Sequence, residues 1–307
     1  MSMDARSNPE RQIDSIAGCV LGGAIGDAYG LPYEGGRRVF PKPLHSLKIS
    51  DDTQLTLATC EAIIEHNGLV SPEAIAARFA SWHNASRITG MGASTYQALS
   101  ALAQGGHWAL VGRRGHMAAG NGAAMRIAPL AFCLDPFDSD DRRVIRDVAR
   151  ITHHSEEAYV GALAVVIAIH ATYNKRFSMS NLLSLVAASL PDTQVRDRLI
   201  EIARLGDSTN IIDLGKKHGA SGYVVESIPL ALFSASQVET LSFQQIIKEI
   251  VSLGGDTDTI ASITGQVVGA YIGRKNLPEE MISNLLDLEL IEKTIYLFTN
   301  VICLNSK

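Results

Sequence analysis

Aromatic residues, cysteines and long hydrophobic runs are all scarce in this chain. Phenylalanine, tryptophan and tyrosine make up only 6% of the 307 residues, although 46% are hydrophobic. Small and aliphatic side chains must therefore fill the core, a composition that favours closely packed helices. No C-x-x-C pair occurs, which argues against a disulfide framework. We expect each of the four cysteines to be a buried free thiol, as in a protein of a reducing compartment. They are Cys19, Cys60, Cys133 and Cys303.

The chain also lacks an excess of positive charge and a membrane-length apolar segment. Its net charge is −5, so we expect no nucleic-acid partner and no attraction to anionic membranes. The longest apolar run, residues 161–169, is too short to cross a bilayer. Residues 16–25 have the apolar character of a signal-peptide core. They lie between Asp14 and Asp27, however, and no cleavage pattern follows them, so a signal peptide is not predicted. These observations predict a cytoplasmic protein without a membrane partner.

Helical periodicity runs through most of the sequence, and no strand pattern or fixed repeat is present. In residues 13–28 the apolar positions follow one helical stripe, and Gly18, Gly22, Gly23 and Gly26 give that helix a small face suited to close backbone packing. Because no strand precedes these glycines, a dinucleotide-binding loop is rejected. We predict one all-α domain over residues 11–307, preceded by a flexible arm of residues 1–10. Further helices are predicted over residues 54–66, 72–82, 95–103, 123–132, 139–151, 156–173, 180–188, 193–205, 224–234, 242–253, 260–273, 278–286 and 290–304.

Two acidic motifs each precede a predicted helix. In Gly254-Gly255-Asp256-Thr257-Asp258-Thr259, two glycines end one helix and two aspartates begin the next. Ser50-Asp51-Asp52-Thr53 is a second acidic pair at a helix start. Simple N-capping is the alternative for either motif alone. If both motifs meet in the fold, however, four carboxylates share a small volume, and divalent cations would relieve their repulsion.

Three further polar positions have open interpretations. Glu34, in a loop after the first helix, reads as an exposed acid from the sequence alone. Gly120-Asn121-Gly122 ends a long glycine-rich loop, and either Asn121 caps the next helix or its amides bind an anion. His153 and His154 have no third ligand at zinc spacing, so a polar corner between two helices is favoured over a zinc site.

Together these residues resemble the ADP-ribosylglycohydrolase family, over about residues 13–273. The landmarks, in the family's order, are Gly26-Asp27-Ala-Tyr-Gly-Leu-Pro-Tyr-Glu34, Ser50-Asp51-Asp52-Thr53, Gly120-Asn121-Gly122-Ala-Ala-Met125-Arg126, Thr152-His153, and Gly254 to Thr259. The resemblance implies a compact, orthogonal all-α domain with a central cleft that holds two divalent cations, Mg²⁺ or Mn²⁺.

The resemblance also implies a role for each matching residue. The implied metal ligands are Ser50, Asp51, Asp52, Asp256, Asp258 and Thr259. The implied catalytic carboxylates are Glu34 and Asp51. The implied substrate-binding residues are Gly120, Asn121, Gly122, Met125 and His153, which would contact the diphosphate, the ribose and the nucleotide part of the substrate.

The implied reaction is hydrolysis of the bond between C1″ of ADP-ribose and a protein side chain, with arginine as the expected attachment site. Cations would orient the ribose and lower the pKa of a water molecule, and Glu34 or Asp51 would position or deprotonate that water. A single bound water favours an inverting arrangement.

Two departures from the family pattern bear on the substrate. Gly90 stands where many members have an acid that helps to recognise an arginine leaving group. His116-Met-Ala-Ala119 offers no hydroxyl to the diphosphate, so backbone N–H groups would bind it alone. The expected partner is an ADP-ribosylated protein. The alternative is a binding protein that neutralises an ADP-ribosylating toxin by occlusion, with residues 1–10 as the candidate arm.

Overall fold

The computed structural model describes residues 9–36, 46–174, 178–205 and 209–305. Over these ranges the protein forms fifteen α-helices and several 3₁₀ turns, without a β-strand. The all-α prediction is confirmed. The helices are α1 (Pro9–Gly30), α2 (Asp51–Glu65), α3 (Pro72–Asn84), α4 (Ala93–Ala103), α5 (Trp108–Val111), α6 (Ser139–Arg150), α7 (Glu156–Asn174), α8 (Leu182–Ala188), α9 (Gln194–Ala203), α10 (Ile211–His218), α11 (Val224–Ser236), α12 (Phe243–Val251), α13 (Thr257–Ile272), α14 (Glu279–Ser283) and α15 (Leu288–Asn305).

Helices α1 and α13 form an antiparallel pair whose backbones touch along a stripe of small residues. A Cβ atom added to Gly18 or Gly22 would overlap a backbone carbonyl oxygen of α13, at Gly269 and Gly265 respectively. Only glycine permits this approach, which explains the small face predicted for α1. The antiparallel packing carries the end of α1 to the start of α13, where the Thr257 hydroxyl donates to the Gly30 carbonyl oxygen at 2.8 Å.

The centre of the protein is a layer of helices buried on all sides. Residues 158–169 of α7 and residues 257–270 of α13 are buried without interruption, and α13 also packs on α7 and α11. A helix that is apolar around its whole circumference belongs in the core of a large domain. No described helix has the length and apolar character needed to cross a membrane.

The two acidic motifs lie at the starts of α2 and α13, and these two helix starts are close together in the fold. Ser50 caps α2 by accepting a hydrogen bond from the Asp52 amide, so Asp51 and Asp52 occupy its first turn. After α12, Gly254 and Gly255 adopt left-handed conformations with φ of 71° and 84°. These glycines reverse the chain and deliver Asp256 to the N-terminus of α13.

Several local predictions differ from the structure. Residues 123–132 were expected to form a helix, but the structure has two 3₁₀ turns, Asn121–Ala123 and Ala128–Phe132. Pro129 lacks an N–H group, and the Met125 carbonyl oxygen accepts hydrogen bonds from Gln266 and Thr56 instead of closing a helical turn. Helix α10 (Ile211–His218) was not predicted.

The predicted N-terminal arm lies mostly outside the described residues, since residues 1–8 are not described and Pro9 and Glu10 belong to α1. The toxin-occlusion alternative that depends on this arm therefore stays a prediction. The four cysteines are free; Cys19 and Cys60 are buried, whereas Cys133 and Cys303 are partly exposed.

Candidate active site

A cleft of about 490 Å³ opens where the two acidic helix starts meet. Its walls come from the turn after α1, the first turns of α2 and α13, and the connections before α4 and α11. The loop from Arg113 to Met125 and the corner between α6 and α7 complete them. The site residues predicted from the sequence that line this cleft are Glu34, Asp51, Asp52, Gly120, Asn121, Gly122, Met125, His153, Asp256, Asp258 and Thr259.

Asp27 lies at the base of the acidic cluster, fully buried near the end of α1. Its carboxylate accepts hydrogen bonds from the Ser50 hydroxyl at 2.7 Å and the Thr53 hydroxyl at 2.5 Å. The backbone amides of the same two residues also donate to it. Burial nevertheless raises the pKa of Asp27, against the lowering effect of these bonds. Asp27 thus joins the end of α1 to the start of α2.

Carboxylate oxygens form two groups that share Asp258. One oxygen from each of Asp27, Asp52 and Asp258 lies within 4.8 Å of the others, and the same holds for Glu34, Asp256 and Asp258. Sequence-distant acids therefore converge, as the hypothesis of a shared cation site requires. Asp51 lines the cleft beside these groups and belongs to neither.

Burial and mutual repulsion raise the pKa values of acids in the cluster. Burial, then repulsion from Asp27, raises the pKa of Asp51 to about 8. Burial, then repulsion from Asp256, raises the pKa of Asp258 to about 9. The pKa of Asp52 is also raised, mainly by burial and next by Asp258. For Glu34 at the exposed mouth, the pKa is raised by partial desolvation and by Asp256. Such carboxylates need a proton or a cation nearby.

The two predicted hydroxyl ligands contact the carboxylates. The Ser50 hydroxyl donates to Asp27 and lies 3.4 Å from Asp52 Oδ2. The Thr259 hydroxyl donates to the same Asp52 oxygen at 3.2 Å. The other oxygen, Asp52 Oδ1, is buried and has no hydrogen-bond partner among the described residues. A buried, unpaired carboxylate oxygen is suited to a bound cation.

The Gly120–Gly122 loop is tied to the acidic cluster. The Asn121 side-chain amide donates to Asp256 Oδ2 at 2.5 Å, and its backbone amide donates to the Gly222 carbonyl oxygen at 3.0 Å. The backbone amide of Asn121 is therefore not one of the free diphosphate donors that the sequence suggested. The loop also opens a 3₁₀ turn rather than an α-helix, so it has no helix dipole to attract an anion.

The imidazole ring of His153 packs against Gly120 and Gly122 of the same loop. A Cβ atom added to Gly120 would lie 3.1 Å from His153 Nε2, and one added to Gly122 would lie 2.7 Å from the Cε1 atom. An added side chain at Gly122 would therefore force the imidazole ring to shift, whereas one at Gly120 would make a tight contact with it. Burial, with Arg126 and Arg113 nearby, lowers the pKa of His153 to about 3, so the ring is neutral at physiological pH.

Comparison with known proteins decides the family. The model of the ADP-ribosylglycohydrolase family matches residues 8–303, nearly the whole chain. The chain belongs to the ADP-ribosylglycohydrolase family. The resemblance expected from the five sequence landmarks is therefore confirmed.

Individual relatives of this ADP-ribosylglycohydrolase family member are distant but full-length. An uncharacterised protein of Archaeoglobus fulgidus is 29% identical over 308 residues, covering 91% of this chain and 94% of its own length. Human ADP-ribosylhydrolase ARH3 is 24% identical over 322 residues and covers 88% of each chain. A solved structure described as an ADP-ribosylglycohydrolase-related protein complex superposes with a TM-score of 0.76. It covers 95% of this chain and 99% of its own, at 24% identity, and so shows the fold.

Two charged residues of this family member's candidate site were not among the predicted site residues: Asp27, beneath the cleft, and Arg113, in its wall. Asp27 had a signal in the sequence, since it is an acid inside a helix of apolar and small residues. Arg113 had no such signal, because nothing in the sequence distinguishes it from its neighbour Arg114. Within the described part of the chain, Arg113 is the one lysine or arginine that lines the cleft.

Proposed function

We propose that this protein is a divalent-cation-dependent hydrolase that removes ADP-ribose from a modified protein side chain, with arginine as the attachment site. The observation that carries the proposal is the pair of carboxylate groups sharing Asp258, placed in the cleft of an ADP-ribosylglycohydrolase family member. A cleft of about 490 Å³ is within the usual range for a small-molecule site.

The donor set fits hard divalent cations such as Mg²⁺ or Mn²⁺. Every candidate ligand is a carboxylate or hydroxyl oxygen, which these ions prefer. The unpaired Asp52 Oδ1 and the raised pKa values of Asp51 and Asp258 support a positive charge at this point. Two overlapping groups support two ions, with Asp258 shared between them. We propose as ligands Asp51, Asp52, Asp256, Asp258 and Thr259, with Ser50 at the edge of the set and Asp27 added from the structure.

The cleft offers different chemistry at the acidic cluster and at Arg113. Bound cations would coordinate the ribose hydroxyl oxygens and would favour deprotonation of a water molecule. Elsewhere in the cleft, Arg113 supplies positive charge near His153, and the Gly120–Gly122 loop contacts both His153 and Asp256. We propose that the distal ribose lies at the acidic cluster and the diphosphate at Arg113, because phosphate pairs with guanidinium.

The chain's own acids account for the proton transfers. As the bond between C1″ and the leaving nitrogen breaks, positive charge develops on the ribose ring, and nearby carboxylates stabilise it. A water oxygen bonds to C1″ and gives its proton to Glu34 or Asp51. The leaving guanidine nitrogen takes up a proton from the other of these two acids, so that one acid gains a proton and the other loses one. The pKa of Glu34 is raised by partial desolvation and by Asp256, and the pKa of Asp51 is raised to about 8, which suits both acids to this exchange.

Arginine is proposed as the attachment site because the mouth of the cleft is acidic. Glu34 is exposed there, next to Asp51, and carboxylates favour a cationic guanidinium over a neutral hydroxyl leaving group. Gly90 supplies no additional acid; a Cβ atom at this position would lie 3.5 Å from Asp51 Oδ1. Asp51 and Glu34 would therefore have to serve the leaving group as well as the water.

The test is to incubate the protein with arginine-, serine- and acid-linked ADP-ribosyl proteins, with Mg²⁺ or Mn²⁺ and with EDTA, and to quantify released ADP-ribose. We expect release from the arginine-linked substrate, its loss in EDTA and its loss in Asp256→Asn. Asp140→Asn removes an exposed carboxylate on α6 and serves as the matched control. Full activity of Asp256→Asn, or activity insensitive to EDTA, would contradict the proposal. Release from another linkage alone would overturn the arginine assignment only.

A further inference from the structure

Arg126 is a fully buried cation in the core beneath the cleft. Its Nη2 atom donates to the Thr152 hydroxyl oxygen at 2.8 Å and lies 3.3 Å from the Val148 carbonyl oxygen. Its guanidinium carbon lies 4.7 Å from the centroid of the Phe79 ring. The Nε and Nη1 atoms have no hydrogen-bond partner among the described residues. Stability alone does not explain an arginine here, since unpaired buried donors cost free energy.

The hydrogen bonds continue from Arg126 to the cleft. A guanidinium only donates, so the Thr152 hydroxyl oxygen must accept from Arg126 and has its own proton left to donate. The His153 Nδ1 atom lies 2.9 Å from that oxygen. No other acceptor within the described ranges is paired with the Thr152 hydroxyl. The arrangement that satisfies every group has Thr152 donating to an unprotonated Nδ1.

A neutral imidazole with unprotonated Nδ1 carries its one proton on Nε2. That atom is on the side of the ring facing Gly120 and Gly122 in the cleft wall. Across the described part of the chain no protein acceptor is paired with it. The ring therefore presents a single N–H donor toward the space where a ligand lies.

We propose that Arg126 and Thr152 are positioning residues that hold His153 as its Nε2–H tautomer, so that His153 donates one hydrogen bond to an oxygen of bound ADP-ribose. The identity of the ligand rests on the proposed function, whereas the tautomer does not. The opposite tautomer would present a lone pair at Nε2, which would repel a phosphate oxygen because both atoms are acceptors.

The tautomer is measured by ¹⁵N NMR of the histidine-labelled, full-length protein without ligand, with His153→Gln used for assignment. We expect a pyridine-type Nδ1 and a pyrrole-type Nε2 for His153. Thr152→Val removes the donor and should introduce the other tautomer, whereas Thr152→Ser keeps the hydroxyl and should restore the wild-type spectrum. Thr172→Val is the matched control, because it removes a buried hydroxyl that bonds Ile169 on α7, away from the cleft.

Affinity for ADP-ribose is then measured by calorimetry on the same variants. We expect Thr152→Val to weaken binding about tenfold, the effect of one lost hydrogen bond. Thr152→Ser and Thr172→Val should bind as wild type does. A protonated Nδ1 in the wild type, or wild-type affinity in Thr152→Val, would overturn the proposal. Failure of the wild type to bind ADP-ribose would instead contradict the proposed function and leave the tautomer result standing.

Arg126→Met separates positioning from stability. Replacing a buried charge by an apolar side chain of similar length is often neutral or stabilising. We expect a folded protein with an unchanged or higher Tm, a mixed His153 tautomer and about tenfold weaker ADP-ribose binding. A variant that fails to fold, or one with the wild-type spectrum and affinity, would remove Arg126 from the proposal.

Discussion

The Asn121 side-chain amide donates a 2.5 Å hydrogen bond to Asp256 Oδ2, across 135 positions of the sequence. This bond joins the Gly120–Gly122 loop to the start of α13. It leaves one Asp256 oxygen free of Asn121 and fixes the orientation of the carboxylate. Asn121 therefore joins the proposed metal site to the Gly120–Gly122 loop.

We predict that Asn121→Ala weakens Mn²⁺ binding by about tenfold or more, the usual effect of losing a partner of a metal ligand. The reason is that Asp256 loses its fixed orientation. Titration calorimetry with Mn²⁺ measures the change. Asn276→Ala is the matched control, because Asn276 is exposed and its side-chain amide donates to the Ile272 carbonyl oxygen, away from the cleft. Equal Mn²⁺ affinity in both variants would show that Asn121 does not orient a ligand.

The stability of the protein stripped of metal should fall as pH rises. Burial and neighbouring carboxylates raise the pKa of Asp51 to about 8 and that of Asp258 to about 9, from an ordinary value of 3.8. Between these values the two acids hold more protons in the folded protein than in the unfolded chain. Their contribution to stability is therefore full below about pH 4 and is lost progressively up to about pH 9. Thermal denaturation in EDTA across this range measures the loss, and Asp258→Asn should reduce it.

Mn²⁺ competes with protons for the same carboxylates, so its effect on Tm should have the opposite pH dependence. We predict a larger Mn²⁺-induced rise in Tm at about pH 8.5 than at about pH 5.5. A rise of the same size at both pH values would mean that Mn²⁺ binds elsewhere. Asp140→Asn, which changes an exposed carboxylate, should respond as the wild type does.

Arg113→Gln should weaken ADP-ribose binding by about tenfold to a hundredfold, since charge-assisted hydrogen bonds to phosphate are strong. The salt dependence of binding should decrease with it. Arg114→Gln is an adjacent control of the same chemistry, because Arg114 is exposed and does not line the cleft. If both variants lose affinity equally, general surface charge rather than Arg113 attracts the diphosphate.

Gly22→Ala should lower the free energy of unfolding by about 2–3 kcal/mol, because the new Cβ atom would overlap the Gly265 carbonyl oxygen and separate α1 from α13. Gly92→Ala is the control; its φ is −64° and nothing lies within 4 Å of an added Cβ atom. Urea denaturation measures both. A Gly22→Ala protein as stable as the control would mean that close backbone contact is unnecessary.

Much of the site could be predicted because its residues lie at helix starts with local signals. Ser50 and the Gly254–Gly255 pair mark where α2 and α13 begin, and the acids follow directly. Asp27 stood in a sequence landmark but was given no role, because its role depends on the end of α1 packing against the start of α2. Its hydroxyl partners Ser50 and Thr53 are 23 and 26 positions away.

The wrong helix at residues 123–132 has a similar cause. The segment is apolar and of suitable length, so its pattern predicts a helix. In the fold, however, the Met125 carbonyl oxygen accepts from Gln266 at 2.7 Å, and the Asn121 amide pairs with the Gly222 carbonyl oxygen. Such tertiary hydrogen bonds replace the helical ones, and they connect the Gly120–Gly122 loop to the core.

The central claim is that acids from opposite ends of the sequence bind divalent cations beside the substrate. Anomalous diffraction from crystals grown with Mn²⁺ and ADP-ribose tests it most directly. The account predicts two anomalous peaks among the carboxylates of Asp52, Asp256 and Asp258, with the distal ribose of ADP-ribose next to them. Ordered carboxylates with no anomalous peak between them, in crystals where ADP-ribose is bound, would contradict it.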